Sequence, residues 1–260
     1  MSDKSPSFNP TGFYESFYSD DSSIHKLTKW RKLSASYKAR NLIKSLSDIP
    51  PSSSVLEVGS GTGELAYQLH SIHKFPPINI SDVSQAALTY ANQNYPSSIA
   101  SSTLLTPNAP LPFHNDQFDL VICSHVLEHV PDPTFLLKEL IRVSKFVFLE
   151  VPLDFRYYRI PTQELLQCGH IHAFSASTIR FYIEQTEVHI INQGFSFTQH
   201  SYDLSLFPLL YDQCRPFTLR QLIYLTRPTL RWLLVGIKLR VRSLFGNPGT
   251  EAFYLLSRSL

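Results

Sequence analysis

Three glycines within five positions are the most concentrated chemical signal in the chain. The sequence has only 9 glycines in 260 residues, and Gly59, Gly61 and Gly63 are among them. Glycine is used where the backbone takes a positive φ or where another molecule approaches it closely. The segment VLEVGSGTGELA (55–66) has the pattern of a strand, a glycine turn and a helix start, which presents backbone N–H groups to a ligand. We therefore predict a ligand-binding turn at these glycines.

The spacing of the glycines separates two classes of ligand. Dinucleotide-binding turns follow G-x-G-x-x-G, whereas the spacing here is G-x-G-x-G and Glu64 follows the third glycine. A carboxylate at the start of a helix repels a pyrophosphate. The spacing therefore favours a cationic nucleoside without phosphate groups, and a tight turn with no ligand is the remaining alternative.

Several segments, in order along the chain, resemble the class I S-adenosylmethionine-dependent methyltransferases. E-V-G-S-G-T-G (57–63) is similar to the first motif of that family, and Asp82 in ISDVSQAAL is similar to the acid that ends its second strand. LPFHNDQFDLVICSHVLEHVPDP (111–133) and FLEVP (148–152) resemble its fourth and fifth strands with their flanks. The resemblance covers roughly residues 35–200 and the last strand. It implies that the cofactor is S-adenosyl-L-methionine and that the protein is a transferase.

The resemblance also implies which residues bind the cofactor. Asp82 is expected to accept the ribose hydroxyls, and Glu57 is expected to order the glycine turn near the amino-acid end of the cofactor. The family commonly has an acid before L-P-F that contacts the adenine amine, but TPNAPLPF (106–113) contains none, so Asn108 or a backbone carbonyl is expected there. The expected cofactor-binding set is Glu57, Gly59, Ser60, Gly61, Gly63, Asp82, Val83, Asn108 and Ser124.

Histidines after the fourth and fifth predicted strands are candidates for proton transfer. An oxygen acceptor usually needs a base during methyl transfer, whereas a neutral amine only has to lose a proton afterwards. His125 and His129 follow the fourth strand, and His170 and His172 follow the fifth, at the edge where open α/β sheets bind ligands. His125, His129 and His172 are the catalytic candidates, and a structural hydrogen bond is the alternative role for each.

A divalent metal site is a second interpretation of the same segment. His125, Glu128 and His129 resemble the E-x-x-E-H metal site of some methyltransferases, with histidine in place of the first glutamate. A fourth ligand such as His172 could complete the set. Because L-E-H also occurs in metal-free relatives, no metal is expected.

Alternating strands and helices must position these residues. Strands are predicted at 54–59, 77–82, 97–105, 118–124, 145–152, 194–203 and 252–259, and helices at 23–48, 62–73, 83–94, 133–143 and 175–186. This alternation predicts an α/β, doubly wound, seven-stranded and mostly parallel sheet, with an N-terminal helical lid and a helical insert before the last strand. The expected divisions are an arm and lid helix over 1–48, with 1–22 as a loose arm, a cofactor-binding core over 49–203, the insert over 204–251 and the last strand over 252–260.

The insert has an uneven charge. Between 213 and 250 there are seven Lys and Arg residues and no acid. The stretch 229–245 places apolar side chains on two sides of a helix with cations on the flanks, which predicts either a cap over the core or a peripheral membrane contact. A small or lipid-linked acceptor is consistent with both features.

Composition and charge reduce the number of function classes that fit the chain. The net charge of +2 argues against a nucleic-acid partner, and 3 cysteines are too few for a disulfide scaffold. With no signal-like start and no run of about 18 apolar residues, a cytoplasmic protein is expected, with peripheral membrane contact left open. The predicted function is methyl transfer to a small or lipid-like acceptor, at oxygen in preference to nitrogen. The alternatives are a non-catalytic binding protein of the same fold that docks on a membrane or an acidic partner, and a metal-dependent O-methyltransferase; the oligomeric state stays open.

Overall fold

One seven-stranded sheet organises the part of the chain that the structure describes. The structure is a computed structural model, and it describes residues 10–19, 21–46, 54–153, 169–196 and 251–258. The strands are β1 (Val55–Val58), β2 (Ile78–Asp82), β3 (Ile99–Leu104), β4 (Phe118–Ser124), β5 (Ser144–Pro152), β6 (Val188–Ser196) and β7 (Glu251–Arg258). Their order in the sheet is β3-β2-β1-β4-β5-β7-β6. The first five strands are parallel, and β7 is antiparallel to both β5 and β6. The predicted doubly wound, mostly parallel sheet is confirmed.

Helices cover both faces of this sheet. They are α1 (Pro10–Ser19), α2 (Asp21–Ser45), α3 (Glu64–Tyr67, which continues as a π-helical turn), α4 (Gln85–Asn94), α5 (Pro133–Val143) and α6 (Ala176–Glu184). Val121 belongs to the buried cluster that includes Leu137 of α5, whereas its neighbour Ile122 belongs to the cluster that includes Leu42 of α2. Successive side chains of a strand point to opposite faces, so β4 contributes side chains to a hydrophobic core on each side of the sheet. No helix among the described residues has the length and apolar character needed to cross a membrane.

Local capping signals set several helix boundaries. Ser84 begins α4, and its hydroxyl accepts a hydrogen bond from the Ala87 N–H at 3.2 Å, as its residue type predicts. Asp132 begins α5 in the same way, because its carboxylate accepts from the Phe135 N–H at 2.9 Å. These caps place the N-termini of both helices at the carboxyl edge of the sheet.

Two local predictions are wrong. Residues 10–19 form helix α1, although 1–22 was expected to be a loose arm. Among the described residues the sixth strand is Val188–Ser196, so it begins before the predicted start at 194, and its residues alternate in exposure along the strand. Its outward positions include Ile191 and Phe195, which are 40% and 39% exposed. Because apolar residues occupy both faces of the strand, the sequence does not show the alternation of apolar and polar residues that marks a strand. Residues 197–203 of the predicted strand lie outside the described residues. The predicted insert lies outside the described residues up to position 250, and β7 begins at Glu251.

Candidate functional site

The glycine turn leaves β1 with a backbone that favours glycine. Gly59, Gly61 and Gly63 have φ values of 73°, 52° and 83°, in the left-handed region. A Cβ on Gly61 would lie 2.9 Å from the hydroxyl oxygen of Tyr18, and a Cβ on Gly63 would lie 2.9 Å from the Cβ of Ala91 in α4. Gly61 therefore permits close approach from the lid side, whereas Gly63 permits packing of the turn against a helix.

A cavity of about 680 Å³ opens at the carboxyl ends of β1, β2 and β4. Every residue of the expected cofactor-binding set lines it except Gly63. Of the histidines considered, His125, His129 and His170 line it, whereas His172 is absent from its described wall. One cavity therefore joins the glycine turn to the histidines that follow β4.

Asp82 ties the second strand to the glycine turn. Its Oδ2 accepts the N–H of Gly61 at 2.8 Å and its Oδ1 accepts the N–H of Ser84 at 2.9 Å. Burial raises the pKa of Asp82, and the backbone N–H donors oppose that rise. The carboxylate thus holds the turn in place, and each of its oxygens keeps a lone pair for a further donor.

The N-terminal helices α1 and α2 form one wall of the cavity, and the sequence did not predict α1. Tyr14 and Tyr18 of α1 and Arg31 of α2 line the cavity, with the Arg31 guanidinium 5.1 Å from the centre of the Tyr18 ring. Glu15 fastens α1 to α4, because its Oε2 accepts the hydroxyl of Ser84 at 2.7 Å. The spacing of Tyr14 and Tyr18, four residues apart, was the available signal for a helix with one aromatic face.

The histidines after β4 lie among carboxylates. His125 has a φ of 59°, and its Nδ1 and Nε2 lie 3.6 Å from Oε1 of Glu128 and 3.6 Å from Oε1 of Glu251. The Nδ1 of His129 lies 2.9 Å from the carbonyl oxygen of Gly169, and its Nε2 lies 3.7 Å from Oε1 of Glu128. A carbonyl can only accept, so Nδ1 of His129 carries the proton and Nε2 has the lone pair in the neutral ring.

His172 takes a different position from the one predicted. Its ring stacks on Phe174 with a centroid distance of 6.2 Å, and its backbone N–H donates to the carbonyl of Glu128 at 3.1 Å. The structure therefore brings together His125, His129 and His170, and it leaves His172 out of that group.

Two buried acids at this end were missed. Glu150 of β5 is 0% exposed, and it accepts from the side-chain amide of Asn41 at 2.6 Å and from the hydroxyl of Ser124 at 2.7 Å. Glu251, the first residue of β7, is 4% exposed and lines the cavity. A charged residue inside the apolar run FVFLEVP was the signal for Glu150. No local pattern marked Glu251, which reaches His125 through the pairing of β5 with β7.

These side chains also form two groups with the composition of a metal site. Potential ligand atoms of Glu128, His129 and His170 lie within 4.8 Å of one another, as do those of His125, Glu150 and Glu251. The set proposed from the sequence is thus divided, because His125 and Glu128 fall into different groups. Imidazole with carboxylate is a donor set that suits divalent transition metals.

Comparisons with known proteins agree with this architecture. Residues 29–191 match the family model described as a methyltransferase domain. No curated protein matches the sequence significantly. Many solved structures also match, and three of them are described next.

The phosphoethanolamine N-methyltransferase 2 of Haemonchus contortus, solved with S-adenosyl-L-methionine, is 13% identical with a TM-score of 0.66; the match covers 98% of this chain and 61% of that one. A possible histamine N-methyltransferase of Thermotoga maritima is 14% identical with a TM-score of 0.60, and the match covers 96% of this chain and 100% of that one. An S-adenosylmethionine-dependent methyltransferase of Mesorhizobium loti is 15% identical with a TM-score of 0.56, and the match covers 84% and 96%. At these identities the likeness shows a shared fold.

Proposed function

Because the chain belongs to the family of class I S-adenosylmethionine-dependent methyltransferases, we propose that it transfers the methyl group of S-adenosylmethionine to a small or lipid-linked acceptor, at oxygen in preference to nitrogen. One observation carries the proposal: a single cavity joins the glycine turn and Asp82 to His125 and His129. Donor and acceptor can therefore meet within the same cavity, and bringing them together is the main requirement of an in-line displacement.

The residues at the glycine turn fit the cofactor. Three residues that line this end, Glu57, Ser60 and Glu64, each have one buried side-chain oxygen without a hydrogen-bond partner among the described residues: Oε2, Oγ and Oε1, respectively. A buried polar atom without a hydrogen-bond partner costs free energy, so these atoms favour a ligand that brings hydrogen-bond donors and positive charge. Asp82 would take the ribose hydroxyls with its remaining lone pairs. When bound, the cofactor supplies a methyl group that its sulfonium has already activated.

His129 is the best placed base at the acceptor end. The carbonyl of Gly169 holds its Nδ1–H, so Nε2 of the neutral ring can take the proton of an acceptor hydroxyl. His125 has a carboxylate oxygen near each ring nitrogen, an arrangement that suits a ring with two N–H donors. We assign proton removal to Nε2 of His129. We assign to His125 the role of a cation that balances the negative charges of Glu128 and Glu251. An oxygen acceptor needs the first of these roles, which supports O-methylation.

Two measurements test the proposed function. Isothermal titration with S-adenosylmethionine checks the cofactor, and absence of binding would end the enzyme proposal. A mass-shift screen with matched acceptors that differ only in a hydroxyl or an amine checks the reaction. Methylation of the amine alone would contradict the preference for oxygen. Cofactor binding without any turnover across the screen would favour the non-catalytic alternative.

A lipid-linked acceptor is the second part of the proposal. Its support is the sequence of 229–245, whose cations and apolar residues suit an anionic lipid surface. We propose peripheral membrane contact through this segment, and vesicle binding tests it as described below.

A further inference from the structure

Two carboxyl groups at the glycine-turn end of the cavity each have one satisfied and one open oxygen. Glu57 accepts a backbone hydrogen bond from Ala66, and Glu64 accepts the hydroxyl of Thr62 at 2.6 Å. Their other oxygens, Oε2 of Glu57 and Oε1 of Glu64, have no partner among the described residues. The two residues are only 5% and 6% exposed, and both line the cavity. This is more than an acidic patch, because each unpartnered oxygen is buried and belongs to a residue that lines the cavity.

The groups packed around Glu57 oppose its charge in the empty cavity. Glu57 is the one acid within the buried strand β1. Glu64 on α3 and Asp82 on β2 are negative neighbours, Cys123 on β4 also interacts with it, and Lys38 on α2 opposes them as a cation. Burial, the largest effect, raises the pKa of Glu57 to about 8, with Glu64 and Asp82 adding to the rise and Lys38 reducing it. At neutral pH most molecules with an empty cavity therefore carry a proton on Glu57.

We propose that Glu57 releases this proton when the cationic cofactor enters, so that cofactor binding is coupled to the loss of one proton from the protein. The inference rests on the proposed function, because the cofactor is the cation. The O–H bond of the Glu57 carboxyl breaks, the proton passes to the solvent buffer, and the carboxylate that remains faces the positive charge of the ligand. Glu64 increases the proton affinity of Glu57 in the empty cavity and offers the ligand a second acceptor. Because burial weakens screening, one incoming positive charge is enough to reverse the preference of Glu57.

Calorimetry in buffers of different ionisation enthalpy measures this coupling directly. At pH 7, a group that titrates near 8 when the cavity is empty and is ionised in the complex releases about 0.9 proton on binding. The α-amino group of the cofactor titrates in a similar range, about 7.7–8.0, and its contribution is common to every variant. The decisive quantity is therefore the difference between the unmodified protein and Glu57→Gln. We expect about 0.9 proton fewer from the variant.

The pH dependence provides the second readout. A proton on Glu57 competes with the cofactor, so affinity rises with pH and levels off above about 8. Between pH 6.5 and 8.5, the dissociation constant of the unmodified protein should fall about 25-fold more than that of Glu57→Gln. Glu64→Gln removes a charge that raises the pKa of Glu57, so it should bind the cofactor with a smaller proton release at pH 7. This variant keeps the test decisive if Glu57→Gln does not fold.

Two controls complete the design. Glu184→Gln alters a carboxyl on α6 whose side chain is 56% exposed, and it should leave proton release unchanged. Methylthioadenosine has neither the sulfonium nor the ammonium group, so its binding should release no proton. Equal proton release by the unmodified protein and both glutamine variants would overturn the inference while the proposed function stood. If the unmodified protein bound no S-adenosylmethionine at any pH, the proposed function would fail, and the inference with it.

Discussion

The N–H of Gly61 donates to Oδ2 of Asp82 at 2.8 Å, so the turn after β1 and the acid that ends β2 act as one unit. The same carboxylate accepts the N–H of Ser84, whose hydroxyl donates to Glu15 of α1. One chain of hydrogen bonds therefore connects the glycine turn, the start of α4 and α1. Residues that bind the cofactor in our proposal also hold the site together.

Asp82→Ala should weaken cofactor binding by about 1.5–3 kcal/mol, the range for a hydrogen bond to a charged group, with the fold retained. It should also lower the free energy of unfolding, because the N–H groups of Gly61 and Ser84 lose their acceptor. Titration calorimetry and thermal unfolding measure the two effects. Asp119→Asn is the control, since Asp119 accepts from the Ser54 N–H at the opposite edge of the sheet. Lower stability with unchanged affinity would mean that Asp82 only holds the turn.

Gly61→Val should abolish cofactor binding. A branched residue resists a φ of 52°, and its Cβ would lie 2.9 Å from the hydroxyl oxygen of Tyr18. Combining Gly61→Ala with Tyr18→Phe removes that contact but not the backbone strain. The double variant should be more stable to heat than Gly61→Ala alone, but its cofactor affinity should not recover. Tyr18→Phe alone is the reference for both measurements. Normal cofactor binding by Gly61→Val would mean that the glycines serve only as a turn.

Glu15→Ala should speed cofactor dissociation about tenfold, because the variant loses a charge-assisted hydrogen bond that fastens α1 to Ser84. Stopped-flow release of the bound cofactor measures this rate. Ser16→Ala changes an exposed neighbour on the same helix and is the control. An unchanged rate would show that α1 does not cover the cofactor.

His129→Ala should lower turnover 10²–10⁴-fold, on the order expected for loss of a general base, with cofactor affinity intact. The rate of the unmodified protein should rise with pH as the ring of the base loses its added proton, because only the neutral ring accepts a proton. His172→Ala should remain nearly normal, since that ring stacks on Phe174 and does not line the described part of the cavity. Recovery of activity by a divalent metal after dialysis against a chelator would instead favour the metal-dependent alternative.

Charge reversal at Arg231, Lys238 and Arg242 together should reduce binding to anionic vesicles or raise the apparent KM for the acceptor, without changing cofactor affinity. Each cation near anionic lipid contributes on the order of 1 kcal/mol to membrane binding. Added salt should therefore weaken binding of the unmodified protein to anionic vesicles in the same way. Reversal of the exposed Arg180 on α6 is the control. Loss of cofactor binding and thermal stability would identify the segment as a cap on the core. Unchanged vesicle binding and turnover would point to a neutral, soluble acceptor.

Local patterns in the sequence were sufficient for most of the sheet and for the position of the glycine turn. The cap at Ser84 acts through the N–H of Ala87, three residues away, so its residue type and position predict its role. The same reasoning located α5 at 133–143, where Asp132 provides the cap and Pro133 the first turn. Asp82 instead contacts Gly61 across 21 positions, and its place was expected from the family resemblance. The sixth strand was misplaced because its exposed Ile191 and Phe195 disguised the alternation.

Contacts between distant segments decided the rest. Glu251 lies beside His125 because β7 pairs with β5, which in turn pairs with β4, and no short-range pattern encodes that order. Tyr18 lies over Gly61 because α1 is fastened by Glu15, a bond that exists only once α4 has been placed. The open oxygens of Glu57 and Glu64 likewise arise from burial, which is a property of the packed molecule. Residue types determined which chemistry the chain could perform, and tertiary packing decided which groups meet in one cavity and with what charge.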